Sequence, residues 1–219
     1  MRRPEFVARQ SAGRTGLLGW LIAAVMASET ASENAAAIAA LDLAPRDRVL
    51  EVGCGHGRTL ERIADNVTQG MVVGIDLAGD MVRMAQRRCA AFVSAGTVEV
   101  KQGDGLALPY PDAAFDKALT VHTLYFWRDP LAQLREVHRV LVPGGRLVLG
   151  FRSRDDEMVA SFPPTIYRFY AVDEVVQLLK TAGYERVMVS AVANGQTRSP
   201  QRLARSGVLL ATATAARVR

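Results

Sequence analysis

The chain has 219 residues, of which 49% are hydrophobic and 22% charged, and its formal net charge is +5. This length supports one domain with a substantial core, and the composition is that of an ordinary globular protein. Two cysteines, Cys54 and Cys89, exclude a disulfide framework, which favours a cytoplasmic protein.

Positive charge is concentrated at the two ends of the chain. Residues 1–27 carry +3 and residues 194–219 carry +5, which leaves −3 between them. Basic ends can bind nucleic acid or an anionic membrane surface. However, no aromatic residues interleave with the C-terminal arginines, as a nucleic-acid stacking surface would require. The pattern favours solvated termini over a nucleic-acid partner.

The N-terminal region predicts two helices, Gly16–Ala27 and Ser28–Leu41. Because Arg2 and Arg3 precede an apolar run, the first partly resembles a signal peptide. The run is about 11 residues long, which is too short to span a bilayer. We therefore expect no transmembrane segment, and a helix that covers a pocket or contacts a membrane peripherally.

From residue 46 onward, strand and helix patterns alternate. The predicted strands are Asp47–Val52, Met71–Asp76, Val98–Gln102, Phe115–Val121 and Arg146–Phe151. The predicted helices between them are Thr59–Val67, Ala78–Ala91 and one that begins at Pro130, behind an Asp129 N-cap, and ends at Leu141. This alternation predicts a doubly wound α/β fold with a parallel sheet.

The C-terminal part has a different pattern. A predicted helix, Val172–Gly183, is followed by two strand patterns, Glu185–Val192 and Gly207–Ala213, with no helix between them. Such a pair is most simply antiparallel. The predicted fold is therefore a seven-stranded sheet of five parallel strands plus a C-terminal antiparallel hairpin.

The segment LEVGCGHG (Leu50–Gly57) contains three glycines at every second position, directly behind a strand. A dinucleotide site has the spacing G-x-G-x-x-G, and a P-loop requires G-K-[ST]. Here Arg58 takes the place of the third dinucleotide glycine, and no G-K-[ST] follows. The turn therefore predicts close backbone contact with a ligand other than a dinucleotide or a P-loop phosphate.

Acidic residues follow the predicted strands near this turn. Glu51, Asp76 and Asp104 each lie at the carboxyl end of a strand, which is the rim where open α/β sheets bind ligands. A carboxylate in the position of Asp76 can accept both hydroxyls of a ribose. Taken singly, Asp76 or Asp104 is also compatible with a helix cap or a turn.

Four segments carry a resemblance to a known family: VLEVGCGHG, GIDLAGDMVRMA, GDGLALPYPDAAFD and REVHRVLVPGG. In order and spacing they resemble the motifs of class I S-adenosylmethionine-dependent methyltransferases, and most of all the small-molecule branch that includes the ubiquinone/menaquinone C-methyltransferases. The resemblance covers about residues 45–155, and the flanking regions match loosely. It implies S-adenosyl-L-methionine as the cofactor and a single methyltransferase domain at 45–219 behind an N-terminal helical lid at 1–44. We expect no metal, because Asp129 alone after the fourth strand does not make a divalent-metal site.

The resemblance also implies a set of cofactor contacts, which divide by the portion of the cofactor that they would touch. The methionine portion would contact Glu51 and the backbone of Gly53, Gly55 and Gly57, and its amino group would contact the Thr120 backbone. The ribose hydroxyls would contact Asp76. The adenine would contact Leu77, Asp104 and the Gly105 N–H. The sulfonium and ammonium groups of this cofactor are cationic, which suits a rim of carboxylates.

The acceptor is predicted from the region after the fourth strand. Eight of the 14 aromatic residues lie between positions 125 and 170. Because ligand pockets are mainly apolar, we expect a small apolar or aromatic acceptor, although these rings could instead pack helices against the sheet. His122 follows the fourth strand and Tyr125 lies about one turn later, so both are candidate catalytic residues, with His122 as a base or as a wall of the pocket.

Two other functions remain open at this point. The same fold could bind the cofactor without transferring a methyl group, or it could methylate RNA by using the basic ends. The sequence predicts neither the acceptor atom nor the oligomeric state.

Overall fold

The computed structural model describes residues 31–193, 196–198 and 207–216. In chain order, the strands are β1 (Arg48–Val52), β2 (Met71–Asp76), β3 (Val98–Gln102), β4 (Phe115–Val121), β5 (Leu141–Phe151), β6 (Tyr184–Ala193), β7 (Gln196–Arg198) and β8 (Leu209–Ala215). The helices are α1 (Ala31–Leu41), α2 (Arg58–Ala64), α3 (Gly79–Arg88), α4 (Ala90–Ser94), α5 (Pro130–Val140) and α6 (Val172–Thr181). Single 3-10 segments follow β4, at Leu124–Phe126, and β5, at Glu157–Ser161.

All described strands form one sheet in the order β3-β2-β1-β4-β5-β8-β6-β7. β1 to β5 are parallel, whereas β8 is antiparallel to both β5 and β6. The predicted fold class is therefore confirmed, with β8 inserted between β5 and β6. One further strand, the three-residue β7, pairs with β6 at the edge of the sheet.

Helices cover both faces of the sheet because the central strands are apolar on both sides. Val49 in β1 packs into a core with residues of α1, α2 and α3. Its neighbour Leu50 packs into a second core with residues of α5 and α6. Successive side chains of a strand point to opposite faces, so a continuous apolar run is what a doubly covered sheet requires.

Two helix predictions can be compared with the structure. Asp129 caps α5 by accepting a hydrogen bond from the Ala132 N–H at 2.9 Å, and Pro130 follows at the first helical position, as predicted. α1 confirms the helical prediction over the described part of Ser28–Leu41, with Ala36 and Leu41 buried. The predicted helix Gly16–Ala27 lies outside the described residues. No helix within the described part of the chain combines the length and apolar character needed to cross a bilayer.

The strand order reverses around β1 and β4, and this reversal defines the position of the candidate site. β1 pairs with β2 on one side and with β4 on the other, so that Glu51 lies beside Gly74 and Leu119. The turns after β1, β2 and β4 therefore meet at one rim. Open α/β sheets bind ligands in the crevice at such a reversal point, outside the carboxyl ends of the strands.

Candidate active site

The glycine turn after β1 has different surroundings at each of its three glycines. All three have positive φ angles, of 78° at Gly53, 55° at Gly55 and 84° at Gly57. A Cβ on Gly53 would collide with Cγ2 of Thr123, and one on Gly57 would lie 2.8 Å from Cα of Ala85. A Cβ on Gly55 would meet no atom within 4 Å. Gly53 and Gly57 thus permit close packing of the protein on itself, whereas Gly55 faces open space.

Glu51 is a buried carboxylate near the end of β1, with 4% of its surface exposed. Its Oε2 atom has no hydrogen-bond partner within the described part of the structure. Burial raises the pKa of Glu51 well above its ordinary value, the Asp76 charge raises it further, and a hydrogen bond with Thr59 opposes the shift. A buried carboxylate oxygen without a partner is costly, and a cationic group bound beside it would relieve that cost.

Asp76 ends β2 and connects to the glycine turn. Its Oδ2 accepts the Gly55 N–H at 2.8 Å, and its Oδ1 accepts the Ala78 N–H at 2.9 Å. Burial raises the pKa of Asp76, while these two backbone donors lower it. Each carboxylate oxygen has two acceptor sites, so the group can accept further hydrogen bonds. Leu77 beside it is 58% exposed.

Asp104 and Gly105 lie in the loop after β3, and a residue that the sequence did not single out anchors them. The buried Gln133 of α5 donates from Nε2 to the Asp104 carbonyl oxygen at 2.6 Å. The Asp104 side chain accepts the Leu106 N–H at 3.0 Å. Gly105 is buried, with φ at 76°. Asp104 therefore has the turn-stabilising contact that the alternative interpretation predicts, and its carboxylate retains free acceptor sites.

Thr120 near the end of β4 is almost fully buried, at 1% exposed. Its hydroxyl forms a hydrogen bond with the hydroxyl of Thr123. Thr123 is also the residue that fills the space beside Gly53. The Thr120 side chain thus connects β4 to the glycine turn, and only its backbone remains for the contact that the resemblance implies.

His122 has an unusual backbone conformation at the end of β4. Its φ angle is 59°, in the left-handed region that residues other than glycine rarely adopt. Its N–H donates to the Gly150 carbonyl at 2.9 Å, which holds the chain in that conformation. Non-glycine residues in this region persist where the surroundings over-determine them, often at functional sites.

Both ring nitrogens of His122 have partners. Nε2 lies 2.7 Å from Oε2 of Glu33 on α1, and Nδ1 lies 3.3 Å from the Tyr125 hydroxyl. The Tyr125 hydroxyl also accepts the backbone N–H of Arg152. Burial raises the pKa of Tyr125. The two candidate catalytic residues are therefore in contact with each other.

Arg152 and Asp156, which follow β5, complete this set. Arg152 donates from Nη2 to Glu33 Oε1 at 3.2 Å and from Nη1 to Asp156 Oδ2 at 2.8 Å. Asp156 also accepts the Gly207 N–H at 3.0 Å. We name Glu33, His122, Tyr125, Arg152 and Asp156 the His122 network. It joins α1, the turn after β4, the segment after β5 and the segment before β8.

An aromatic cluster lies beside this network. It consists of Tyr125, Phe126, Phe162, Tyr167 and Phe169, whose ring centroids are 4.6 to 6.3 Å apart in the contacting pairs. Phe126, Phe162 and Phe169 are only partly buried, whereas Phe151 is fully buried in the sheet core. Part of the predicted aromatic region is therefore structural, whereas the rings of Phe126, Phe162 and Phe169 are partly exposed.

Residues 50–149 of the chain match a family model described as a methyltransferase domain. Among curated proteins, 27-O-demethylrifamycin SV methyltransferase of Amycolatopsis mediterranei is 32% identical over 66% of this chain and 56% of its own length. Demethylmenaquinone methyltransferase of Deinococcus radiodurans is 38% identical over 53% of this chain and 47% of its own length. The chain thus spans about half the length of these curated relatives.

A solved structure gives the same result at the level of the fold. A SAM-dependent methyltransferase from Aquifex aeolicus is 27% identical, with a TM-score of 0.62, over 77% of this chain and 81% of that one. Together with the strand order and the glycine turn, these matches confirm the resemblance to class I S-adenosylmethionine-dependent methyltransferases that the four motifs predict. The match over residues 50–149 and these likenesses together support a class I S-adenosylmethionine-dependent methyltransferase domain that resembles those of the quinone methyltransferases, and they imply S-adenosylmethionine as its cofactor.

Proposed function

We propose that the protein transfers a methyl group from S-adenosylmethionine to a small apolar or aromatic metabolite. The observation that carries this proposal is the position of two different surfaces at one rim. The acidic, glycine-lined surface after β1 and β2 adjoins the His122 network and the aromatic cluster after β4, because β1 and β4 are paired neighbours. A cofactor on the first surface would present its reactive group to an acceptor on the second.

The residues at the rim fit the cofactor. The partnerless oxygen of buried Glu51 suits a cationic group, and the open space over Gly55 allows close backbone approach. Exposed Leu77 offers an apolar contact next to Asp76. When bound, S-adenosylmethionine supplies an activated methyl group whose departure from sulfur needs no proton. The residues of the chain then have to align the acceptor, exclude water and remove a proton where the acceptor carries one.

The proposal is tested by methyl transfer with labelled cofactor. We expect protein-dependent label in small organic-soluble products when the protein is incubated with a metabolite extract and a panel of hydroxylated aromatic compounds. Tight cofactor binding without transfer of label to any fraction would instead indicate a non-methylating role. Label in an RNA fraction, with binding that falls steeply as salt rises, would indicate the RNA function.

We predict that replacing Asp76 with alanine weakens cofactor binding roughly 10- to 150-fold, because hydrogen bonds to a charged group contribute about 1.5–3 kcal/mol. Isothermal titration calorimetry measures this affinity. Asp76 also holds the Gly55 N–H, so Asp76→Asn serves as the matched control. Its amide oxygen can keep one backbone contact, and we expect a smaller loss. An unchanged dissociation constant in Asp76→Ala would refute the ribose assignment, and a nicotinamide cofactor should not bind either variant.

We also predict that cofactor binding releases protons. Burial raises the pKa of Glu51, and a bound cation would lower it again. At a pH between the pKa of Glu51 in the cofactor complex and its pKa in the free protein, binding releases a proton. The affinity for the cofactor therefore increases as the pH rises through that range. Calorimetry in buffers of different ionisation enthalpy measures this release. The Glu51→Gln variant should lose it, and a binding heat that is independent of the buffer in the unmodified protein would contradict the prediction.

A further inference from the structure

The direction of each hydrogen bond around His122 can be deduced from partners that have only one possible role. A guanidinium group has donors and no acceptor. Arg152 donates to one oxygen of Glu33 in an ion pair, and the carboxylate of an ion pair only accepts hydrogen bonds. The contact of 2.7 Å between the other oxygen of Glu33 and His122 Nε2 therefore requires a hydrogen on Nε2.

The direction of the hydrogen bond at Nδ1, on the opposite side of the His122 ring, can be deduced in the same way. The Tyr125 oxygen already accepts the backbone N–H of Arg152, so its own hydrogen is available to His122 Nδ1, 3.3 Å away. In a neutral imidazole with hydrogen on Nε2, Nδ1 carries the lone pair. The separation is longer than that of an ordinary hydrogen bond to a hydroxyl. A hydroxyl of an acceptor could therefore compete with Tyr125 for Nδ1, and its oxygen could accept the hydrogen of the Tyr125 hydroxyl.

We propose that Glu33 is a positioning residue that fixes His122 with hydrogen on Nε2 and leaves Nδ1 to accept a proton from a hydroxyl group of the acceptor. This inference rests on the proposed function. In the step, the O–H bond of the acceptor breaks and its proton moves to Nδ1. The oxygen forms a bond to the methyl carbon as the carbon–sulfur bond breaks, with its electron pair remaining on sulfur. The imidazolium later releases its proton to solvent.

The charged groups of the His122 network favour this proton transfer. Glu33 contacts the imidazole directly, Arg152 pairs with Glu33, and Asp156 pairs with Arg152. The phenol of Tyr125 contacts the other ring nitrogen. The side chains of Glu33, Arg152 and Asp156 are 14%, 17% and 1% exposed. Two carboxylates around one guanidinium leave one negative charge, which an imidazolium would balance. Asp156 is held by backbone donors, so Arg152 in turn has a fixed orientation.

The orientation of His122, the proposed base, also depends on the position of α1. Glu33 lies in the first turn of α1, 89 residues before His122 in the chain. Its backbone is placed by Ala36, Ala37 and Leu41, which are buried in the core shared with α2 and α3. His122 therefore obtains its orienting carboxylate only while α1 is packed on the sheet.

The test combines nitrogen NMR of the imidazoles with kinetics of a Glu33→Gln variant. The chain has three histidines, and burial lowers the pKa of both His56 and His138. In cofactor-bound protein with labelled histidine, we expect the His122 signals, assigned by their loss in His122→Asn, to show hydrogen on Nε2. Glutamine can donate as well as accept, so the variant should shift the tautomer toward hydrogen on Nδ1.

The Glu33→Gln variant should lower kcat about 10- to 100-fold and change KM little. This loss lies near or below the lower end of the contribution of a general base, because His122 itself is still present. The pH–kcat profile should change as well, because Glu33→Gln removes the carboxylate that lies 2.7 Å from His122 Nε2. Glu174→Gln is the matched control. It changes another glutamate that pairs with an arginine, Arg154, and keeps the acceptor for the Ala171 N–H. We expect no change in tautomer or pH profile there.

Three results would overturn the inference. The first is hydrogen on Nδ1 in the unmodified protein, a measurement that does not depend on any variant folding. The second is a Glu33→Gln variant with lower thermal stability but an unchanged tautomer and pH profile, which would make Glu33 structural only. The third is the expected tautomer without any methylated product, which would refute the proposed function and the base role together.

Discussion

Replacing His122 with asparagine is expected to lower kcat by about 10²–10⁴-fold, the range that a general base contributes, and to leave the affinity for S-adenosylmethionine nearly unchanged. Asparagine tolerates the left-handed backbone conformation that His122 adopts, at φ 59°. Its amide can also form a hydrogen bond with Glu33, but it cannot take a proton at neutral pH. The kinetics with an identified acceptor and a calorimetric cofactor titration measure the two quantities.

His122→Ala is the companion variant because it separates chemistry from backbone strain. Alanine in the left-handed conformation costs about 1–2 kcal/mol, so this variant should have a lower melting temperature than His122→Asn. If His122 acts as a base, both variants lose the same factor in kcat. A loss below tenfold with an unaltered pH–rate profile would leave His122 as a wall of the pocket. Alignment of the reactants, which can contribute about 7–11 kcal/mol, would then be the main source of catalysis.

The fold could be predicted in detail because its signals are local. The bounds of β2, β3 and β4 agree with the sequence prediction to the residue. The apolar run of β2, the apolar–polar alternation of β3 and the apolar second half of β4 are all local strand patterns. The absence of a helix between the last two predicted strands correctly indicated an antiparallel pair. The insertion of β8 between β5 and β6 was not predictable in the same way. It depends on pairing between distant segments, and no local pattern encodes the partner.

The same distinction applies to the candidate site. The glycine turn, Glu51, Asp76 and Asp104 lie within contiguous motifs, so the sequence singled them out and the structure brings the first three together at one rim. Glu33 was missed because its partners His122 and Arg152 are 89 and 119 residues away. Arg152 and Asp156 did leave a signal. Two opposite charges four residues apart, directly after β5, lie at the rim where the other strands place their functional groups.

Deleting residues 1–27 is expected to abolish turnover while cofactor affinity stays nearly intact. We propose that residues 1–44 act as a lid over the acceptor, with Gly16–Ala27 supplying the apolar surface. The described end of this region supports the idea, because Glu33 in the first turn of α1 contacts His122. The first turn of α1 therefore lies beside the His122 network, whereas every residue that we propose for cofactor binding follows position 50. A closed site excludes water and orients the reactants.

The deletion retains α1, so it can be distinguished from damage to the His122 network. The truncated protein should keep the His122 tautomer of the full chain in the NMR measurement, and its cofactor titration should be unchanged. Loss of turnover with both of these preserved can then be assigned to the lid. Full activity of the truncated protein would refute the lid. Flotation with anionic vesicles would then test the alternative, that Gly16–Ala27 contacts a membrane, because an apolar helix with flanking arginines should bind such vesicles and the truncated protein should not.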